Sequence, residues 1–214
     1  MKSFNVVLRV MTNFAACSLF AASGTWTAPD GGDWSAVGNW QDNTPATGTG
    51  STAFFTAGAG AVTNDMTDLT LLGLQISGTG FTFAGNTLTL DSAGFITVLS
   101  GSHTLDMPLV LSGSTALTAA LSQTLTVNGA VSGTGGVTLN GGRVVLGNAA
   151  NSYSGQTVLQ TGLLEVASIS ALGSSTSPVL LGKGTFRYTG PTPPNLRRVI
   201  RFTTVARMPP RCSK

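Results

Sequence analysis

The sequence predicts an all-β protein wound as a right-handed parallel β-helix, and three observations lead there. Short runs of alternating apolar and hydroxyl residues recur between Gly, Asn and Ser. No window of about 10–12 residues carries the 3.6-residue period of an amphipathic helix. Charged side chains make up only 9% of the 214 residues, against about 25% in an average soluble domain. Gly, Ser and Thr number 28, 21 and 31, a turn-dense composition too poor in Ala, Glu, Lys and Arg for a helical bundle. The chain is also too apolar for disorder, which needs low hydrophobicity and high net charge.

A two-sheet sandwich shares the turn-rich rhythm. A solenoid of roughly three short strands per coil also accounts for the missing charge. Stacking in register would place like charges ~4.8 Å apart, so few are expected.

Residues 1–23 read as a signal peptide. Lys2 and Arg9 precede a mostly apolar stretch, and Ala21-Ala22-Ser23-Gly24 supplies small residues for cleavage. Phe14-Ala15-Ala16-Cys17 could suggest a lipidated cysteine, but the apolar run before it is short. After cleavage only Cys212 remains, so no intrachain disulfide is expected. Beyond the signal peptide, no stretch approaches the ~18–20 apolar residues that span a bilayer.

Residues 24–60 form a Trp-containing opening region with Trp26, Trp34 and Trp40. Residues 61–190 are expected to be the solenoid. In Thr87-Leu88-Thr89-Leu90, Phe95-Ile96-Thr97-Val98, Leu125-Thr126-Val127 and Val137-Thr138-Leu139, apolar residues two apart share one face. The intervening threonines, β-branched and suited to strands, take the other. Gly and Asn fill the turns, where some residues need positive φ.

Residues 191–214 differ from the rest: six bases, no acid, no glycine and five of the nine prolines. Pro191, Pro193 and Pro194 are expected to stop strand pairing, since proline lacks the N–H of a ladder. A tail translated in a shifted frame accounts for these changes together. The functional alternative is a basic tail that binds nucleic acid or another anionic polymer. The body is acidic: residues 24–190 hold eight acids and only Arg143, Lys183 and Arg187.

Residues 133–166 carry a recognisable pattern. Gly133-Thr134-Gly135-Gly136-Val137-Thr138-Leu139 is followed by Asn151-Ser152-Tyr153-Ser154-Gly155-Gln156-Thr157-Val158 and then Gly162-Leu163-Leu164. This resembles the autotransporter-associated β-strand repeat. Trp26, Trp34 and Asn39-Trp40 look like the start of secreted proteins carrying such repeats. The resemblance implies an exported, surface or extracellular β-helical passenger with no catalytic residues, of which this chain is a truncated fragment.

Other groupings have functional and structural readings. Trp26, Trp34 and Trp40 could stack on sugar rings or plug the open end of the solenoid. A cell-surface or extracellular polysaccharide is the partner class they suggest. Asp30 with Asp33, or Asp65 with Asp68, could pair for glycoside hydrolysis or bind Ca²⁺; turn chemistry is the simpler reading. A cleft uniting Asp65, Asp68 and Asp91 would favour an enzyme. His103, the one histidine, is expected at a turn or strand edge, and Tyr153 over the Gly155 turn. Gly48-Thr49-Gly50, Gly78-Thr79-Gly80 and Gly133-Thr134-Gly135 precede strands, whereas a phosphate loop leads into a helix. No enzyme activity, cofactor, metal or nucleic-acid partner is expected. The leading function is structural or adhesive surface material; a polysaccharide-binding or polysaccharide-degrading β-helix is the alternative.

Overall fold

Alternation of period two, repeated at short intervals, needs a neighbour for every strand, and the chain supplies it by coiling. The computed structural model describes residues 21–191 and 198–202; residues 1–20, with Cys17 and most of the expected signal peptide, and 192–197 and 203–214, with Cys212, lie outside them. Among the described residues every strand ladder is parallel, and no α-helix is present. This is a parallel β-solenoid, not a sandwich.

Each coil has three faces. On the first, Ala53, Leu74, Ile96, Leu117, Leu139, Leu159 and Leu181 stack in register, each step spanning 20–22 residues. On the second, Val62, Phe83, Leu105, Val127, Leu146 and Val166 stack. On the third, Leu69, Leu88, Leu109 and Val131 do so. These columns point inward and form one continuous core. Burying such a side chain contributes about 1.5–3 kcal/mol, so the fold rests on these columns rather than on charge.

The corners explain the glycine content. Gly113, Gly135 and Gly155 stack between the third and first faces, with the Gly155 amide donating to the Gly135 carbonyl at 2.9 Å. A Cβ on Gly135 would run into the Gly113 carbonyl, and one on Gly155 into Gly135 itself. Between the second and third faces, Asn64, Asn86, Asp106, Asn128 and Asn148 recur coil by coil. Asn148 Nδ2 donates to the Asn128 carbonyl at 2.8 Å, and Asn128 Nδ2 to Asp106 Oδ1 at 3.0 Å.

The first coil is longer, with Gly24 paired to Ala53. Its extra length forms two 3-10 turns, Val37–Asn39 and Gln41–Asn43. They lead a segment back along the outer edge of Gly24–Trp26, through the isolated antiparallel bridges Trp26–Trp40 and Ala22–Thr47. An edge that would otherwise template another strand is thereby occupied.

Pairing does not stop at Pro191. Ile200–Phe202 lies parallel on Val179–Leu181, because the prolines precede the strand rather than sit within it. Arg198 donates from Nη1 to the Leu172 carbonyl at 2.7 Å and from Nη2 to that of Gly173 at 2.9 Å.

Candidate functional site

The aromatic group of the first coil is built from the covering segment. Trp26, Trp34 and Trp40 are 1%, 0% and 2% exposed. Their ring centroids lie 5.0 Å (Trp26–Trp40) and 5.1 Å (Trp34–Trp40) apart, and Phe55 packs against all three. Each indole N–H meets a backbone carbonyl: Trp26 that of Ala28, Trp34 that of Ala46 and Trp40 that of Trp34. Buried tryptophans need such partners. A glycan platform, the alternative to the plug, requires open indole faces, and burial withholds them. A shallow depression beside them, lined by Trp26, Thr27, Pro29, Thr56, Ala57 and Gly58, contains no titratable side chain.

The repeat residues 133–164 hold successive coils together. Asn151 Oδ1 accepts from the Val131 amide at 2.8 Å, and its Nδ2 donates to the Ala171 carbonyl at 2.7 Å. One buried amide thus links three layers. Tyr153 is fully buried. Its hydroxyl meets Thr157 Oγ1 at 2.7 Å, and Thr157 donates on to Leu172. Burial pushes the phenol up to about 12. The ring packs against Gly173, its hydroxyl reaches across the Gly155 turn to Thr157, and it has no surface for contacts. Gly133 and Gly162 take φ of +105° and +84° at corners. Val158 points outward between the inward Thr157 and Leu159, and Leu164 lies in the core.

The carboxylates are dispersed. Asp65 accepts the amide of Ser35 at 2.8 Å and also its hydroxyl, and the hydroxyl holds its pKa below the usual range. Asp91 accepts the Gly50 amide at 2.7 Å, from the opposite corner of the third face. Asp68 is a turn residue at φ +58°, while Asp30 precedes the strand Gly31–Asp33 of the first coil and Asp33 ends it. Among the described residues, no three His, Cys, Asp or Glu side chains come together to hold a metal.

His103 departs from its expected turn or edge position. It is 1% exposed, inside the strand Ser102–Leu105. Nδ1 accepts the Phe81 amide hydrogen at 2.9 Å, which leaves Nε2 to donate to the Ser100 carbonyl at 2.7 Å. Burial lowers its pKa.

Sequence reasoning missed the charge ladder on the outer second face. Glu165 pairs with Arg143 at 2.8 Å and with Arg187 at 3.3 Å, from the coils on either side. The Arg143 bond leads the lowering of the Glu165 pKa. Spacing of about one coil between these three residues was the available signal, as it was for the Asn and Asp column. Beside this ladder, Thr82, Thr104 and Thr126 present stacked hydroxyls. Leu99 and Leu121, 48% and 83% exposed, stand at the corner leading into the same face.

Among the described residues no helix is long and apolar enough to cross a membrane. No protein-family model matches the chain, and no solved structure matches it. Over 134 residues, 62% of its length, the chain is 31% identical to the adhesin BmaC autotransporter of Brucella suis biovar 1 (strain 1330). It spans 3% of that protein.

Proposed function

We propose that this chain is a non-catalytic, exported structural and adhesive module of autotransporter-passenger type, working at the cell surface or after secretion. One observation carries the reading. The carboxylates of the described coils do not converge on one site, while long outer faces of Thr, Ser and Asn are carried by a continuous core. Such a body suits reach and multivalent contact better than chemistry. The partial similarity to an autotransporter adhesin supports the same reading. Residues 1–23 supply the export signal in this proposal.

The test is twofold. Expressed with its leader in a Gram-negative host, the full chain should be digested by protease added to intact cells. Beads coated with the purified chain should be retained on epithelial cells or extracellular matrix more than beads coated with an unrelated β-solenoid. A protein confined to the cytoplasm, or beads retained no better than the control, would refute the proposal.

A further inference from the structure

Charge is divided along the solenoid axis. From residue 21 to residue 142 there are seven aspartates and no Lys or Arg. The described residues beyond contain Arg143, Lys183, Arg187, Arg198 and Arg201 against Glu165 alone. The outer second face displays this division directly. Its central column reads Gly31, Ala61, Thr82, Thr104, Thr126, Val145, Glu165, Arg187 in register. Asp33 stands exposed in the first layer. Asp65 and Asp106 border the second and fourth, and Arg143 and Arg187 project from the sixth and eighth.

We infer that this face is the seat of a second copy of the chain, lying antiparallel across a twofold axis between the Thr104 and Thr126 layers. That axis sets the first layer of one copy against the eighth of the other. Asp33 then faces Arg187 of the second copy, and by symmetry this contact occurs twice. Glu165, which lands opposite Ala61, is already neutralised by its two arginines. The same operation brings Leu99, beside the fourth layer, against Leu121, beside the fifth. These two leucines are otherwise left in solvent at 48% and 83% exposure. Charge complementarity and an apolar pair therefore select the same axis, and the half-buried threonine column between them presents no charge. A parallel arrangement would set acid against acid.

Sedimentation velocity on the full chain tests this at about 0.01 M and about 1 M salt, where the Debye lengths are about 30 Å and 3 Å. A dimer is expected at low salt, with its dissociation constant rising at least about tenfold at high salt. Asp33 has no side-chain bond to lose, so Asp33→Lys should weaken the dimer about tenfold while melting is unchanged. Asp33→Lys with Arg187→Glu in one chain should restore it. Leu121→Asp, at a site exposed in the monomer, should also abolish the dimer, and it decides the matter if Arg187→Glu does not fold. A monomer at both salts would overturn the inference. So would a dimer indifferent to Asp33→Lys and Leu121→Asp, open-ended polymers, or association only when a polyanion is added.

Discussion

The imidazole of His103 takes the place of a backbone acceptor for Phe81. Nδ1 receives the Phe81 amide hydrogen at 2.9 Å while the two rings stack with centroids 5.8 Å apart. Only the neutral tautomer with hydrogen on Nε2 can make both this bond and the one to Ser100. Protonation therefore breaks a ladder contact inside the core.

Acid should expose that bond as a stability term. The folded pKa of His103 is lowered by burial, so below the unfolded value of about 6.5 the unfolded chain binds more protons than the folded one. Stability from this site is complete above about pH 6.5 and falls as pH drops through that value towards the lowered folded pKa. Melting curves between about pH 8 and 5 should show this loss in the wild type and lack it in His103→Asn. Equal slopes in both proteins would refute the assignment. His103→Leu should cost about 1–3 kcal/mol by orphaning the Phe81 amide.

Removing the amide that spans three coils should be more damaging than removing a surface asparagine. Asn151→Ala strands the Val131 N–H and the Ala171 carbonyl, at about 2–4 kcal/mol together. Urea denaturation measures the cost, and amide exchange at Val131 should accelerate. Asn148→Ala, whose two side-chain bonds are solvent-exposed although the residue is half-buried, should stay within about 1 kcal/mol.

Tyr153→Phe removes one buried hydroxyl and should cost about 0.5–1.5 kcal/mol. In the wild type this phenol ionises only near 12. Its share of stability is intact below about pH 10 and drains away as pH rises from there to about 12. A tyrosinate absorbance titration that lacks this late step only in Tyr153→Phe confirms it. Gly173→Ala should be worse than the hydroxyl loss, since φ is +79° and the new methyl meets the Tyr153 ring.

Trp34→Ala empties the centre of the first-coil cluster and frees the Ala46 carbonyl. A loss of about 3–5 kcal/mol is expected from large-to-small core substitutions. If melting stays unchanged while binding to a polysaccharide is lost, the indole is a ligand contact and the structural role assigned to it fails.

Glu165→Gln should cost under about 1 kcal/mol, because both arginine side chains are partly exposed, at 41% and 56%, and salt screens them. Glu165→Lys is different: it sets three cations in adjacent coils, and its melting temperature should rise with added salt while that of the wild type changes little.

The period-two runs such as Thr87-Leu88-Thr89-Leu90 and Gly136-Val137-Thr138-Leu139 were enough to reveal strands, their inward residues and the glycine corners, because alternation and φ preference are local properties. Scarcity of charge separated a solenoid from a sandwich for the same reason: it is a constraint that in-register stacking imposes on composition. Proline placement misled at Ile200–Phe202, since a missing N–H matters only within a ladder and not in the segment before it. Asp65 and Asp68 could pair by spacing, with turn chemistry the simpler reading; one accepts from Ser35 and the other turns the chain.

What the amino-acid order determined alone was the coil: the rhythm, the apolar columns and the residues allowed at corners. What the tertiary structure decided was which residues lie one coil apart. Only there do Asn151 reach Val131 and Ala171, Glu165 find Arg143 and Arg187, and His103 replace a carbonyl for Phe81. Those partners sit about twenty residues away along the chain. Their meeting depends on the length of every intervening turn, a quantity that no local preference encodes.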